Sequence, residues 1–167
     1  MGPGTRVDVS GLVPGGDRVS ALAVLARYEL SFEVEGTPVG QGALRRSPGG
    51  KLYESSKGHA AWRQRLTHAA MEAHAGLPEL TGPVEVRVTF AFGRPKAHYG
   101  TGRNQWTLRP RAPLAHRIRP DLDHLQRCLG DALTLAGVLH DDSLIACWSA
   151  AKIYAEQPGC SVRLITL

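Results

Sequence analysis

The chain has 167 residues, a formal net charge of +5 and a hydrophobic fraction of 43%. This length suits one domain with its own core, and no run of residues is long and apolar enough to span a bilayer. The positive charge favours an anionic partner, with nucleic acid ahead of an acidic membrane surface. Three cysteines without a C-x-x-C pair argue against a disulfide framework and a zinc site, so we expect a cytoplasmic protein.

The N-terminal quarter of the chain predicts a leader, a strand and a hairpin. Residues 1–27 begin with a Gly-rich stretch that has no sustained period, and we expect a flexible leader ahead of a single domain at 28–167. Residues 28–35 alternate Leu30, Phe32 and Val34 with polar neighbours, which predicts a half-buried strand. A turn-rich basic loop or hairpin follows, with a short return strand at 51–53.

Two helices and three further strands complete the predicted fold. One helix is expected from Ser55 or Ser56 to about residue 75, and a strand with alternating apolar residues at 84–92. The second helix, at 122–136, places leucines at i, i+3, i+7 and i+11 on one stripe, and its predicted N-cap is Asp121. Strands are expected at 138–156 and 161–167. The order predicts an α+β domain whose mixed, mostly antiparallel sheet packs against the two helices.

A long irregular segment at 93–120 precedes the second helix and carries seven cations and no acidic residue. Tyr99 and Trp106 are interleaved with these charges, a composition typical of contact with phosphates and unstacked bases. The alternative is a mobile basic loop without a specific partner. The candidate DNA-binding residues are Arg94, Lys96, Arg103, Arg109, Arg111, Arg117 and Arg119, together with Lys152 on the strand that follows.

Aspartates stand at both ends of the second helix. Asp121 and Asp123 open it, and Asp141 and Asp142 follow it. The helix covers roughly 21 Å and an extended return to residue 142 covers roughly 17 Å, so the two ends are expected to meet. Carboxylates that converge in this way require a cation, and hard oxygen ligands select Mg²⁺, with Mn²⁺ as a substitute. With phosphates delivered by the basic segment, metal-assisted phosphodiester hydrolysis is the predicted chemistry.

The run RPDLDHLQRCLGDALTLAGVLHDD at 119–142 resembles the RusA family of Holliday junction resolvases found in bacteria and their phages. The resemblance implies a homodimeric, Mg²⁺-dependent endonuclease that binds four-way DNA junctions and cuts two strands symmetrically. It implies essential aspartates at Asp121, Asp123 and Asp142, with Asp141 as a further candidate metal ligand. The essential lysine of the family falls on Arg127, which lies one helical turn after Asp123 and can still bind a phosphate oxygen.

Arg127 leaves other functions open, because arginine cannot give up a proton as lysine can. If the family requires a titratable amine, the chain is a catalytically impaired protein that binds branched DNA, unless Lys152 substitutes. A nuclease for flaps or replication forks and a basic RNA-binding protein are the remaining alternatives.

Overall fold

A computed structural model of the chain describes residues 28–42, 44–50, 52–54 and 57–167. The expected leader at 1–27 and the candidate helix caps Ser55 and Ser56 lie outside the described residues. Among the described residues, no helix combines the length and the apolar character that a membrane span requires.

Four strands form the main sheet: β1 (Glu29–Glu35), β4 (Val84–Gly93), β5 (Ile145–Ala155) and β6 (Gly159–Thr166). Their order is β1-β6-β4-β5; β1 and β4 pair with β6 in antiparallel fashion, and β4 pairs with β5 in parallel. Two short strands, β2 (Leu44–Arg46) and β3 (Leu52–Glu54), form a separate hairpin. The predicted α+β architecture, with a mixed and mostly antiparallel sheet, is confirmed.

The helices are α1 (His59–Ala73) and α2 (Leu122–Leu135). The leucine stripe of α2 is buried as its spacing predicts, with Leu125, Leu129 and Leu133 inaccessible to solvent. Helix α1 buries Trp62 and Leu66. It begins after Gly58, whose φ of 82° favours glycine, and so starts later than predicted.

The core lies between the two helices and one face of the sheet. Alternation in each strand sends every second apolar side chain to this face, and the register aligns Phe32, Val162 and Val88 across three strands. The other residues of these strands point to the opposite face, which no helix of the described residues covers and where Arg87 and Arg163 pair with Glu85 and Glu29.

The strand predicted at 138–156 begins only at Ile145. Val138 and Leu139 are buried, and the backbone here bonds to Leu80: the Leu80 amide donates to the Val138 carbonyl, and the His140 amide donates to the Leu80 carbonyl. Asp142–Leu144 then form one 3₁₀ turn. The prediction was wrong for this part because apolar content did not distinguish a short bridge from the start of a strand.

Candidate active site

The start of α2 leaves two aspartates exposed. Asp121 occupies the N-cap position with extended backbone angles, yet its side chain makes no capping hydrogen bond. Asp123 lies in the first turn, where a carboxylate interacts favourably with the positive end of the helix dipole. Asp121 is therefore available to a ligand, while Asp123 Oδ2 lies 3.8 Å from His124 Nε2.

A cleft of about 270 Å³ opens on one side of α2. The helix contributes Asp123, Arg127 and Gly130, which follow one another at i, i+4 and i+7 and therefore share a face. Asp142 and the first residues of β5 form the other wall. The cleft thus brings together two carboxylates and a guanidinium, and Gln126, Ile145 and Trp148 complete its lining.

Asp142 is held against α2 by two features of the chain. The Asp141 carboxylate accepts a hydrogen bond from the Ser143 amide at 2.9 Å, and hydrogen bonding by the Ser143 side chain and this amide lowers the pKa of Asp141. The bond from the amide also closes the turn that carries Asp142. The turn packs against α2 at Gly130, where a Cβ would lie at an ordinary contact distance of 3.5 Å from Asp142 Cβ. Asp141 therefore has a local role that the sequence did not reveal.

The structure does not gather three carboxylates as the sequence predicted. Within the described ranges, no group of three His, Cys, Asp or Glu side chains is placed to hold a metal ion. Asp121 is not among the residues that line the cleft. The chain that follows α2 returns to the helix at Gly130, which lies seven residues and about 10 Å along the helix from Asp123. It comes no closer because Val138 and His140 bond to Leu80 instead of extending along the helix.

Three of the predicted DNA-binding cations donate to backbone carbonyls of the protein itself: the exposed Arg109, and the half-buried Lys152 and Arg94. Lys152 on β5 donates from Nζ to the carbonyls of Ile118 at 2.8 Å and Pro120 at 2.7 Å, directly before Asp121. Arg94 donates to the Pro113 carbonyl at 2.8 Å and lies over the Tyr154 ring. Lys152 and Arg94 hold the basic segment against the edge of the sheet, and this engagement makes them weaker candidates for phosphate contact.

The end of the basic segment packs against β5 and β4. Ala115 forms a bridge with Ile153, and the buried His116 ring stacks on Phe92 with ring centroids 3.9 Å apart. Exposed among the cations predicted to contact DNA are Lys96, Arg103, Arg109, Arg111, Arg117 and Arg119. An ordered attachment thus presents a largely basic surface that leads into Asp121.

Four residues that line the cleft were not predicted from the sequence: Gln126, Gly130, Ile145 and Trp148. Gly130 and Gln126 lie in the middle of α2, and neither belongs to a motif that would indicate a role at the site. Trp148 lines the cleft from β5, and only the tertiary contact between strand and helix places it there.

Comparison with known proteins identifies the family. A family model described as endodeoxyribonuclease RusA matches residues 35–165, which include both helices and three of the four strands of the main sheet. No curated protein matches the chain. The match covers most of the sequence and includes the cleft of α2 and the basic segment. The chain therefore belongs to the RusA family of Holliday-junction-resolving endodeoxyribonucleases.

Proposed function

We propose that this chain is a Mg²⁺-dependent endonuclease that resolves four-way DNA junctions by paired, symmetric cleavage of phosphodiester bonds. The observation that carries the proposal is that Asp123, Arg127 and Asp142 line one cleft, which follows a segment without acidic residues. Junction DNA would reach this cleft along the exposed arginines. DNA of a bacterium or a phage is processed in the cytoplasm, so we expect the protein to act there.

The residues of the cleft fit a magnesium ion through two carboxylates. Mg²⁺ is bound in nucleotide and phosphate sites by one or two carboxylates, with water and substrate phosphate as its other ligands. Asp123 and Asp142 would supply the carboxylates, since Asp121 and Asp141 do not line the cleft. Mn²⁺ would substitute because it accepts the same oxygen ligands. When bound, the ion would polarise the phosphoryl group and lower the pKa of a water molecule.

Arg127 would bind a nonbridging oxygen of the scissile phosphate. Its guanidinium lines the cleft beside Asp123 and offers a planar, positively charged fork to a phosphate. It can therefore neutralise charge that develops in the transition state. It cannot accept the proton of the attacking water, so another group must accept that proton.

A homodimer would suit this reaction, because resolving a junction takes two cuts related by two-fold symmetry. Sedimentation should show a dimer at micromolar concentration or on junction DNA. A monomer under both conditions would contradict this part of the proposal.

The decisive experiment is cleavage of a synthetic four-way junction with Mg²⁺, beside a linear duplex of the same sequence. We expect paired symmetric nicks in the junction and none in the duplex. Asp123→Asn should abolish nicking and keep junction binding, because removing a negative charge from the cleft does not weaken contacts with phosphates. Loss of binding together with cleavage would instead indicate a folding defect, which thermal unfolding of the variant would reveal.

A second candidate function is favoured by Arg127 itself, which stands where the family resemblance implies lysine. Tight junction binding without nicks, in Mg²⁺ and in Mn²⁺, would show a branched-DNA-binding protein that has lost its chemistry. Faster cleavage of flaps or forks than of four-way junctions would show a nuclease with a different branched substrate.

A further inference from the structure

Trp106 is the large aromatic side chain of the basic segment that the fold does not use. It is 83% exposed, whereas Trp62 in the core is 3% exposed. Tryptophan is among the most buried residues on average, so an isolated side chain in water at the tip of a loop needs an explanation. A partner that covers an aromatic ring would provide one.

The loop that carries Trp106 is folded rather than extended. Residues 98–109 form a hairpin in which Tyr99 pairs with Leu108, and the Gly100 amide donates to the Thr107 carbonyl at 2.9 Å. The Arg109 side chain closes its base by donating to the Tyr99 carbonyl at 2.7 Å. Gly100 is required, because a Cβ there would lie 2.6 Å from the Asn104 carbonyl oxygen. The ring is therefore presented by an ordered loop, and binding would cost little conformational entropy.

The charges around the ring indicate the kind of partner. Arg103 and Arg111 are exposed on either side of it in the sequence, and residues 93–120 contain no acidic residue. An apolar protein surface would leave these cations without a counter-charge. A nucleobase offers the ring a stacking face, while its neighbouring phosphates offer the arginines an anion.

We propose that Trp106 stacks on a base exposed at the branch point of DNA, and that this contact favours branched DNA over continuous duplex. In a duplex every base is already stacked on both sides, so the ring could enter only by separating a base step. At a branch point a stack ends, and a base face is available at lower cost. This inference deepens the proposed function and rests on branched DNA being the substrate.

The test is equilibrium binding of the full chain in EDTA to a four-way junction and to a duplex of the same sequence. Trp106→Ala should weaken junction binding roughly tenfold or more and leave duplex binding within about twofold, and Trp106→Phe should keep part of the preference. Leu114→Ala is the matched control, because Leu114 is 84% exposed in the same segment. It should bind both substrates as the wild type does.

A fluorescent base analogue at the branch point gives a second readout, since stacking should change its emission with wild-type chain and not with Trp106→Ala. Equal weakening of junction and duplex binding, or no weakening, would overturn the inference, as would a wild type with no junction preference. Thermal unfolding of each variant checks its fold. Because EDTA prevents metal-dependent cleavage, a chain that stacks on junctions through Trp106 and never nicks them would keep this inference and refute the proposed nuclease.

Discussion

The side chain at position 127 determines whether the cation of the cleft can also give up a proton. Arg127 lies in the cleft beside Asp123 and across from Asp142, so its charge is placed where a phosphate would bind. Lysine and arginine both supply this charge, but they differ in geometry and in their ability to lose a proton. The role proposed for Arg127 requires only its positive charge.

We therefore predict that Arg127→Lys nicks junctions at a rate within about threefold of the wild type. Arg127→Ala should lower the rate by roughly a hundredfold, the loss typical of removing one group that stabilises transition-state charge. Single-turnover cleavage with saturating enzyme measures both rates, and equilibrium binding to the junction serves as the control for DNA affinity. A hundredfold loss in Arg127→Lys would show that the two-pronged guanidinium is required.

At the scale of the elements, the strand β5 positions the start of α2. Lys152 donates to the carbonyls of Ile118 and Pro120, and these two bonds fix the chain just before the aspartate pair. The sequence suggested a phosphate contact for the same residue. The two roles differ in a measurable way, since only a phosphate contact releases counterions from DNA.

We predict that Lys152→Met lowers the nicking rate roughly tenfold or more and leaves the salt dependence of junction binding unchanged, because small displacements of catalytic groups are costly. Lys152→Arg should recover part of the rate. Binding titrations over a range of salt concentrations, combined with single-turnover cleavage, separate the cases. A slope reduced by about one unit would show that Lys152 contacts a phosphate after all.

At the scale of the whole molecule, two buried histidines link stability to pH. Burial lowers the pKa of His74 and of His116 below the ordinary value of 6.5, and the nearby charge of Lys152 lowers that of His116 further. His74 Nδ1 is bonded to the Tyr28 hydroxyl at 2.7 Å, and His116 Nδ1 has no hydrogen-bond partner in the described part of the chain. A proton on either ring would place a charge in a poorly solvated position.

The consequence for stability has a definite sign. Below pH 6.5 the unfolded chain binds protons that the folded chain excludes, so stability is complete above this value and decreases as the pH falls toward the folded-state pKa. We expect the free energy of unfolding to be lower at pH 5 than at pH 7, by about 1.4 kcal/mol for each unit of pKa depression. Urea unfolding measures it. His116→Gln should flatten the pH dependence, and a slope as steep as that of the wild type would exclude His116 as a contributor.

The local elements and the family could be predicted from the order of the residues alone. Alternation in β1, β4 and β6 and the leucine stripe of α2 predicted those elements almost to their ends, because the spacing of apolar residues within one element decides which face is buried. The run at 119–142 also carried the RusA resemblance that the family match confirms.

Contacts between residues far apart in the sequence depend on the assembled fold. In the fold, β4 pairs in parallel with β5, and the chain after α2 meets the helix at Gly130. Arg94 and Lys152 bind backbone carbonyls, and Trp106 is exposed to solvent. A charged or aromatic residue has the same local signature whether it binds a backbone carbonyl, a phosphate or water. Its partner is chosen by packing between elements far apart in the sequence, which periodicity within one element does not encode.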